Sequence, residues 1–403
     1  MIYNATIYNN SWNTKRLKDL GDFSRGKSKH RPRNDPKLFS NGTYPLVQTG
    51  DIKAATLHID KHEQAYNEFG LSQSKLWPTG TLCITIAANI AETGILAYPM
   101  CFPDSIVGFT ANQAETSEQF MHYIFTYIRQ SIQNSVSGSI QDNINIEYLK
   151  SLDFKIPEKS YQDKIVSILS GLDEKIELNL KICSELEAMA KTIYDYWFVQ
   201  FDFPDENGKP YRTSGGEMVW NEQLKREIPK GWEVMRICDI ADLYQPKTIS
   251  GSDMVENGLY NVYGANGIIG KYNSYNHENR TIAITCRGAS CGNFLMTLPK
   301  SWITGNAMVV SPHAEISQEY LYYTLSKDRI SPFITGSAQP QITRENLSNL
   351  LVVIADEKNT TAFSTFSDVV RSKIESSVSE NEELTKLRDW LLPMLMNGQA
   401  RVE

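Results

Sequence analysis

The fold is decided by residues 161–198, YQDKIVSILSGLDEKIELNLKICSELEAMAKTIYDYWF. Two series of mostly apolar residues recur in this stretch at intervals of seven and are offset by four, which is the a/d pattern of a coiled-coil seam. The members of the two series are Ile165, Leu172, Asn179, Leu186 and Ile193, and Leu169, Ile176, Cys183, Ala190 and Trp197. The stretch therefore predicts one long amphipathic helix that needs a partner helix.

The partner helix is found in the same chain. Adding 198 to each seam position gives a second pair of seven-residue series near the C-terminus, with Ser377 polar at the position that matches Asn179. The members of the second pair are Phe363, Val370, Ser377, Leu384 and Leu391, and Ser367, Ile374, Asn381, Arg388 and Leu395. Two equivalent helices related by a two-fold axis run antiparallel, so an internal antiparallel coiled coil is predicted. Pro393 predicts a kink or an end of the second helix near residue 392.

The remainder of the chain consists of two copies of one plan. Trp12 opens a segment whose pattern returns at Trp232, displaced by 220 residues, and the β-like segment 81–85 returns at 281–285. An aromatic helix and a Gly-Ser turn follow in each copy. The sequence therefore predicts an α+β fold in which two globular mixed α/β domains are joined by two long antiparallel coiled-coil helices, with a pseudo-two-fold internal repeat.

These patterns also predict the domain boundaries. The first domain is expected at 1–157, the central long helix at 158–201, a linker at 202–231, the second domain at 232–355, and the distal long helix with a tail at 356–403. The linker is expected because Gly, Pro, Asp and Asn are dense between the copies, which is typical of turns.

The composition is that of a globular protein that is not bound in a membrane. Of 403 residues, 41% are hydrophobic and 22% are charged, which excludes a disordered chain. No run of eighteen apolar residues occurs, and the polar start lacks the pattern of a signal peptide, so a cytoplasmic location is expected. The six cysteines form no CxxC pair, so buried reduced thiols are expected.

A basic run stands out because the whole chain has a net charge of −7. Residues 25–33 (RGKSKHRPR) contain five Lys or Arg side chains and no acid, and the second copy has a lysine in the equivalent place. The candidates for neutralising DNA phosphates are Lys27, Lys29, Arg31, Arg33 and Lys247. The alternative is that this run is a solvated surface loop.

Amides and arginines form the second set of DNA-binding candidates. Gln141 and Asn143 follow a Gly-Ser turn in the first copy, and Gln339 and Gln341 follow the matching turn in the second. One amide can donate to and accept from adenine at once, although such amides can also cap a helix or turn. Two further candidates are Arg287, which precedes a glycine, and Arg344, and each can instead form a surface ion pair.

Catalytic motifs are missing from the sequence. It contains no GxGxxG after a strand, no GxxxxGK[ST] phosphate loop, no HExxH and no Asn-Pro-Pro-aromatic tetrapeptide, and its six histidines are scattered. No catalytic residue and no metal ligand is therefore predicted, and the pattern favours a binding protein. The alternatives are a self-sufficient DNA methyltransferase or nuclease with an unrecognised site, and a coiled-coil scaffold that binds proteins only.

Four short motifs carry a family resemblance. They are IPKGWE at 228–233, WFVQFD at 197–202, SGG at 214–216, and LPMLMNGQ at 392–399. Together with the duplicated plan, which covers essentially the whole chain, they make it resemble the specificity subunit of type I restriction-modification systems.

The resemblance implies a function in DNA recognition. It implies two target-recognition domains, each reading one half of a split site in the major groove, and a coiled coil that acts as a spacer. It further implies that two copies of a methyltransferase subunit bind S-adenosylmethionine and methylate adenine N6, and that a motor-nuclease subunit cuts unmodified DNA. No cofactor and no catalysis is expected in this chain itself.

The sequence departs from the family pattern in two ways. Family members have a Pro and then a Gln before each long helix, as Pro157 and Gln162 do here, but the second copy has Ala355 and Thr360 at these positions. Polar residues at seam positions 381 and 388 also predict looser packing at the far end of the second helix.

Overall fold

The computed structural model describes residues 2, 4–87, 89–137, 144, 146–264, 267–325, 327–336 and 339–402. The chain divides into two compact units. Unit 1 comprises residues 1–181 and 378–403, and unit 2 comprises residues 182–377. Each unit therefore contains one of the two globular copies together with part of each long helix.

The sheets of unit 1 are short-stranded and mixed. The strands are β1 (Asn13–Arg16), β2 (Gly21–Arg25), β3 (Tyr44–Leu46), β4 (His58–Ile59), β5 (Gln64–Tyr66), β6 (Leu76–Trp77), β7 (Leu82–Thr85), β8 (Thr93–Leu96), β9 (Met100–Cys101), β10 (Ile106–Ala111) and β11 (Asp153–Ile156). A five-stranded sheet has the order β2-β10-β7-β8-β4, a four-stranded sheet has the order β5-β3-β9-β6, and β1 pairs with β11.

The helices of unit 1 pack against its sheets and against one another. They are α1 (Leu17–Leu20), α2 (Thr49–Ala54), α3 (Glu68–Ser72), α4 (Glu118–Ser137), α5 (Ile146–Ser151) and the first part of α6 (Lys159–Tyr194). Helix α4 begins where the Ser117 hydroxyl accepts a hydrogen bond from the Phe120 amide at 3.2 Å. Phe120, Ile124 and Ile128 recur every fourth residue and are buried, so this face packs on the sheet.

Unit 2 is built in the same way. Its strands are β12 (Met218–Asn221), β13 (Arg226–Pro229), β14 (Glu233–Arg236), β15 (Ala241–Tyr244), β16 (Tyr260–Gly264), β17 (Gly267–Tyr272), β18 (Ile282–Thr285), β19 (Phe294–Met296), β20 (Trp302–Ile303), β21 (Ala307–Pro312) and β22 (Leu351–Ile354). Its helices are α7 (Ile237–Ile240), α8 (Gln318–Thr324), α9 (Lys327–Ile330), α10 (Arg344–Leu347) and the first part of α11 (Glu357–Met396).

The sheet topologies of the two units match. In unit 2 the order β15-β21-β18-β19 corresponds to β2-β10-β7-β8, the order β17-β16-β20 corresponds to β5-β3-β9, and β14 pairs with β22 as β1 pairs with β11. Unit 1 adds β4 and β6 at sheet edges, and unit 2 adds the hairpin β12-β13. The predicted fold class, two mixed α/β globular regions with long paired helices and an internal repeat, is confirmed.

The two long helices pair in unit 1. The Asn179 side chain donates a hydrogen bond to Asn381 Oδ1 at 2.8 Å, and Asp173 accepts one from Arg388 at 2.8 Å. Because the higher-numbered residue of α6 contacts the lower-numbered residue of α11, the helices are antiparallel. The two polar residues of the far seam, Asn381 and Arg388, thus have partners in α6, and a cavity of about 270 Å³ lies beside Arg388.

The same pairing is present in unit 2. Arg371 of α11 donates a hydrogen bond to Glu187 of α6 at 2.6 Å, and the rings of Tyr194 and Phe363 lie 5.6 Å apart. Phe363 is fully buried and also packs against Trp197 and Phe198. The helices are antiparallel in this unit as well, as the seven-residue series predict.

Two local features differ from the sequence expectations. Helix α11 continues through Pro393 to Met396, because Leu392, Leu395 and Met396 are buried in the core of unit 1 and hold the last turn in place. Between the copies, where composition indicates turns, residues 218–229 form the hairpin β12-β13.

The polar residues before each long helix also have structural roles. The Gln162 side chain is buried, donates to the carbonyls of Glu115 and Pro157, and accepts from Thr116 at 2.8 Å. In the second copy, Asp356 caps the helix by accepting a hydrogen bond from the Asn359 amide at 3.0 Å. The two helix starts are therefore fixed by different contacts.

In the described part of the chain, no helix is long and apolar enough to cross a membrane. All six cysteines are unpaired, and Cys83, Cys101, Cys286 and Cys291 are buried. This agrees with the expected reduced thiols.

The buried aromatic cluster predicts a large effect of one substitution in unit 2. Phe363→Ala should lower the free energy of unfolding by about 3–5 kcal/mol, because it leaves a cavity among packed rings. Urea unfolding followed by tryptophan fluorescence measures this, since Trp197 and Trp232 lie in the same cluster. Val369→Ala on the same helix is the control, because Val369 is 69% exposed, and equal midpoints for the two variants would contradict the packing account.

Candidate nucleic-acid interface

The basic candidates of unit 1 follow a strand that ends at one edge of its five-stranded sheet. Strands β2 and β7 are both antiparallel to β10, so they run in the same direction and end at the same edge. At that edge Arg25 lies opposite Val107, and Thr85 lies opposite Ile106. The basic run that follows β2 therefore starts beside the chain that follows β7.

Ile144, which follows the first pair of amides in sequence, lies at the same edge. The Ile144 amide donates a hydrogen bond to the Ile86 carbonyl, one residue beyond β7, at 3.0 Å. Gln141 and Asn143 themselves lie outside the described residues. The structure thus describes Ile144 but neither of the two amide side chains.

The backbone of the basic run is held by neighbouring segments. The Lys27 amide donates to the Phe102 carbonyl at 3.2 Å, and the Lys29 amide donates to the Gln73 side chain at 2.7 Å. Gly26 lies so close to the 102–103 backbone that a Cβ atom would be 2.3 Å from a carbonyl oxygen. The chain path is therefore fixed, while the side chains of Lys27 and Lys29 are exposed.

Arg31 and Arg33 are exposed but already have an acidic neighbour. Arg33 donates to Asp104 Oδ1 at 2.6 Å, and Arg31 lies 3.8 Å from the other oxygen of the same carboxylate. Arg31 also donates to the Ser28 carbonyl at 2.6 Å. The basic run contains no acid in its sequence, but the fold places Asp104 beside two of its arginines. Lys27 and Lys29 are therefore more available than the arginines to bind a phosphate.

A second acid lies within the loop. Asp35 accepts a hydrogen bond from the Lys37 amide at 3.0 Å and pairs with His30 Nε2 at 2.8 Å. The hydrogen bond from the Lys37 amide, followed by that from His30, lowers the pKa of this carboxyl. Asp35 therefore serves to shape the loop.

Sequence reasoning missed a small cavity of mixed polar and apolar lining beside the basic run. It has a volume of about 170 Å³ and is lined in part by Arg33, Asn34, Gln48 and Gln64. The two glutamine side chains are 3.4 Å apart. Gln48 follows β3 and Gln64 begins β5, so only the pairing of these strands brings the amides together, and no local sequence signal shows it.

Unit 2 has the equivalent edge. Strands β15 and β18 are both antiparallel to β21, with Tyr244 opposite Val309 and Thr285 opposite Ala307. The residues after these strands therefore lie at one edge. Lys247 follows β15, Arg287 follows β18, and both side chains are exposed.

The amide loop of unit 2 lies directly against Arg287. Arg287 and Gln341 form a backbone bridge, the Gly288 amide donates to the Pro340 carbonyl at 3.0 Å, and the Ile342 amide donates to the Cys286 carbonyl at 2.9 Å. Gln339, Gln341 and Arg287 are thus brought together with exposed side chains. Arg344 is exposed in the first turn of α10, which Thr343 caps.

The two edges share one backbone contact and the position of their cations. The bond from Ile342 to Cys286 in unit 2 matches the bond from Ile144 to Ile86 in unit 1, at the displacements of 198 and 200 that the sequence shows. Each edge has at least one exposed cation after its first strand, and the described amides lie at the edge of unit 2. In the part of the chain that the structure describes, no group of three His, Cys, Asp or Glu side chains is placed to hold a metal ion.

A repeated mixed α/β fold with paired long helices and exposed cations after equivalent strands fits a DNA-recognition protein. The family model described as the type I restriction modification DNA specificity domain matches residues 9–188 and 229–386. The chain belongs to this family. It is a DNA specificity subunit of a type I restriction-modification system, a recognition component rather than a catalytic one.

Individual relatives and a solved structure agree with this assignment. The chain is 23% identical to the type I restriction enzyme MjaIX specificity subunit of Methanocaldococcus jannaschii over 97% of this chain and 94% of the relative. It is 25% identical to the HindI specificity subunit of Haemophilus influenzae over 71% and 75% of the two chains. Its fold is similar to that of the S subunit of a type I system from M. genitalium, with a TM-score of 0.60, 18% identity, and coverage of 98% and 99%.

The two available lysines predict a change in salt dependence. Lys27→Ala with Lys29→Ala should make the slope of log affinity against log salt less negative by about 0.9 for each phosphate that the protein no longer neutralises, or about 1.8 for two. Fluorescence anisotropy with duplex DNA at salt concentrations from about 50 to 200 mM measures the slope.

The matched control is Lys61→Ala. Lys61 is exposed and follows β4, which runs antiparallel to β7, so it lies at the opposite end of the same sheet. Its slope should equal that of the parent. An unchanged slope for the double lysine variant would remove the phosphate role.

Proposed function

We propose that the chain reads a bipartite DNA site, with the edge of each unit reading one half. The observation that carries this proposal is the correspondence of the two edges. Exposed cations follow equivalent strands, and the residues after the amides, Ile144 and Ile342, donate to the carbonyls of residues 86 and 286. Because the loop sequences differ between the copies, the two half-sites should differ in sequence. The long helices, which contribute to both units, would set the number of unread base pairs between the half-sites.

Phosphate contacts are assigned to the cations nearest the ends of β2 and β15. These are Lys27 and Lys29 in unit 1 and Lys247 in unit 2, all exposed. Arg31 and Arg33 would contribute after exchanging Asp104 for a phosphate, a change that conserves a charge-assisted hydrogen bond. Such contacts fix the position of the protein on DNA and make its affinity fall with salt.

Base contacts are assigned to the amide loops and their neighbouring arginines. In unit 2, Arg287 would read a guanine, while Gln339 and Gln341 would read adenines, since these are the base edges that suit each group. Arg344 would contact the same half-site from the start of α10. Gln141 and Asn143 are assigned the matching role in unit 1, because their loop ends at the equivalent position.

Catalysis is assigned to partner subunits. Two methyltransferase subunits, one for each repeat, would bind S-adenosylmethionine and methylate adenine N6 in each half-site, and a nuclease-motor subunit would cleave unmodified DNA. Support for protein partners comes from exposed apolar side chains on the long helices. In unit 1 these include Leu178, Leu180 and Trp390, which are 52%, 52% and 58% exposed.

Methyl transfer by purified components tests this division of labour. The chain incubated alone with DNA and labelled S-adenosylmethionine should transfer no methyl group. Addition of the methyltransferase encoded with it should give sequence-selective transfer to adenine.

Two results would contradict the proposal. Methyl transfer by the chain alone would make it a self-sufficient enzyme. Failure to select any DNA sequence in the presence of the methyltransferase would make it a scaffold for proteins only.

A further inference from the structure

A buried ion pair links the two long helices in unit 1. Asp173 of α6 is 1% exposed and accepts hydrogen bonds from Arg388 of α11 at 2.8 Å and from the Tyr123 hydroxyl at 2.7 Å. A cavity of about 270 Å³ lies beside this ion pair and is lined in part by Asp173, Arg388 and Thr385, which is one turn before Arg388. The carboxylate is thus supplied by α6 and the guanidinium by α11.

A second ion pair links the same helices in unit 2. Arg371 of α11 is 7% exposed and donates to Glu187 of α6 at 2.6 Å, and Glu187 also accepts a hydrogen bond from the Tyr323 hydroxyl at 3.2 Å. Tyr123 and Tyr323 occupy matching places in α4 and α8. The two units therefore contain the same trio of tyrosine, carboxylate and arginine.

The internal repeat reverses the charges of these trios. Asp173 of α6 and Arg371 of α11 are equivalent positions, since they differ by 198. By the same displacement, Glu187 of α6 corresponds to Thr385 of α11. Ala190 of α6 corresponds to Arg388 of α11. Helix α6 thus carries an acid at both contact sites, and α11 carries an arginine at both. A strict duplication would have given the two helices the same residue at equivalent sites.

This reversal affects how a helix could pair with its own copy in a second chain. If α6 paired with a second α6 in the equivalent register, Asp173 of each would face Glu187 and Ala190 of the other. If α11 paired with a second α11, Arg371 would face Arg388 and Thr385. Both arrangements place like charges together at a partly buried seam, which is unfavourable. Asp173 would lose its guanidinium partner, and Arg371 would keep only Glu319 of α8, 3.8 Å away.

The contacts of Asn179 also favour the pairing of α6 with α11 over the pairing of two α6 helices. The buried Asn179 side chain donates to Glu380 and to Asn381 of α11. In a pair of two α6 helices, the residues at the equivalent places would be Ile182 and Cys183. The amide of Asn179 would then have neither acceptor.

We propose that these two ion pairs select the pairing of unlike repeats within one chain and exclude the pairing of either repeat with its own copy in a second chain. The selection arises from the contacts within each unit and does not require DNA or a partner subunit. It gives the duplicated chain a defined monomeric fold, although its two halves share one architecture.

Two full-length double variants of identical composition test the proposal. The repeat-swapped variant is Asp173→Arg with Arg371→Asp. Within one chain it places like charges at both ion-pair sites. Between two α6 helices, or two α11 helices, of different chains it places opposite charges. Asp173→Arg with Arg388→Asp, the compensated variant, restores opposite charges within the chain and also places opposite charges between two like helices. The two variants therefore differ in the charges within the chain, and the intramolecular pairing should win in the compensated variant because its partner helices are joined in one chain. Both retain the parent net charge, and both remove the hydrogen bond from Tyr123 to Asp173.

Light scattering after size-exclusion chromatography measures the result. The parent and the compensated variant should be monomers. The repeat-swapped variant should form a dimer, with a dimer dissociation constant at least about 100-fold lower than that of the compensated variant. A monomeric repeat-swapped variant, or one that forms aggregates without a defined dimer, would overturn the proposal.

A second comparison leaves residue 371 unchanged, because Arg371 also lies 3.8 Å from the buried Glu319 of α8, which an aspartate at 371 would face. Glu187→Arg with Arg388→Asp places like charges within both units and retains the parent net charge, whereas the parent and the compensated variant have opposite charges within both. Glu187 is 37% exposed, so arginine is accommodated more easily there. This variant should be a dimer, and a monomer would also overturn the proposal.

Discussion

The buried seam between α6 and α11 is the constraint on which the rest of the structure depends. In unit 1, the core of the globular region is completed by Ile165 and Leu169 from α6 and by Leu392 and Leu395 from α11, which are distant from them in sequence. In unit 2, Tyr194 and Phe363 join an aromatic cluster with Trp232 and Tyr320 of the globular region, whose main core is formed by its own residues. Each globular region therefore packs against both long helices. A charge left unpaired in this seam would cost several kcal/mol, so correct pairing is strongly favoured.

The same arrangement separates the structural and the recognition functions of each unit. Helices and sheets together form the packed cores, and exposed cations follow the strand ends that the pairing of β2, β7 and β10, or of β15, β18 and β21, holds at one edge. Loop side chains such as Arg287 and Gln341 contribute little to the core, since they are exposed. Recognition can therefore vary without disturbing the packing.

Sequence patterns predicted the features that depend on periodicity. The seven-residue series identified the seam residues, and the constant displacement of 198 identified α6 and α11 as partners because both signals are local and repeated. Asp173 was missed because it lies outside the a/d series, and its burial follows from Tyr123 and Arg388, which are distant in sequence. The contact of Arg33 with Asp104 and the cavity beside Gln48 and Gln64 were missed for the same reason. Among the site residues, the equivalence of the two edges was predictable, whereas the bases that each side chain reads depend on loop geometry that no pattern encodes.

The central claim is that each edge reads its own half of a split DNA site. Genome-wide mapping of methylated adenines, in a host that expresses the chain with its methyltransferase, tests this claim most directly when the parent is compared with Arg287→Ala plus Gln341→Ala. The account predicts that one half-site and the spacer length stay unchanged while the other half-site becomes degenerate at one or two positions, since removing each bidentate pair of hydrogen bonds removes about 1–3 kcal/mol of discrimination. The unchanged half-site serves as an internal control for folding. Equal changes in both half-sites, or no change in either, would contradict the account.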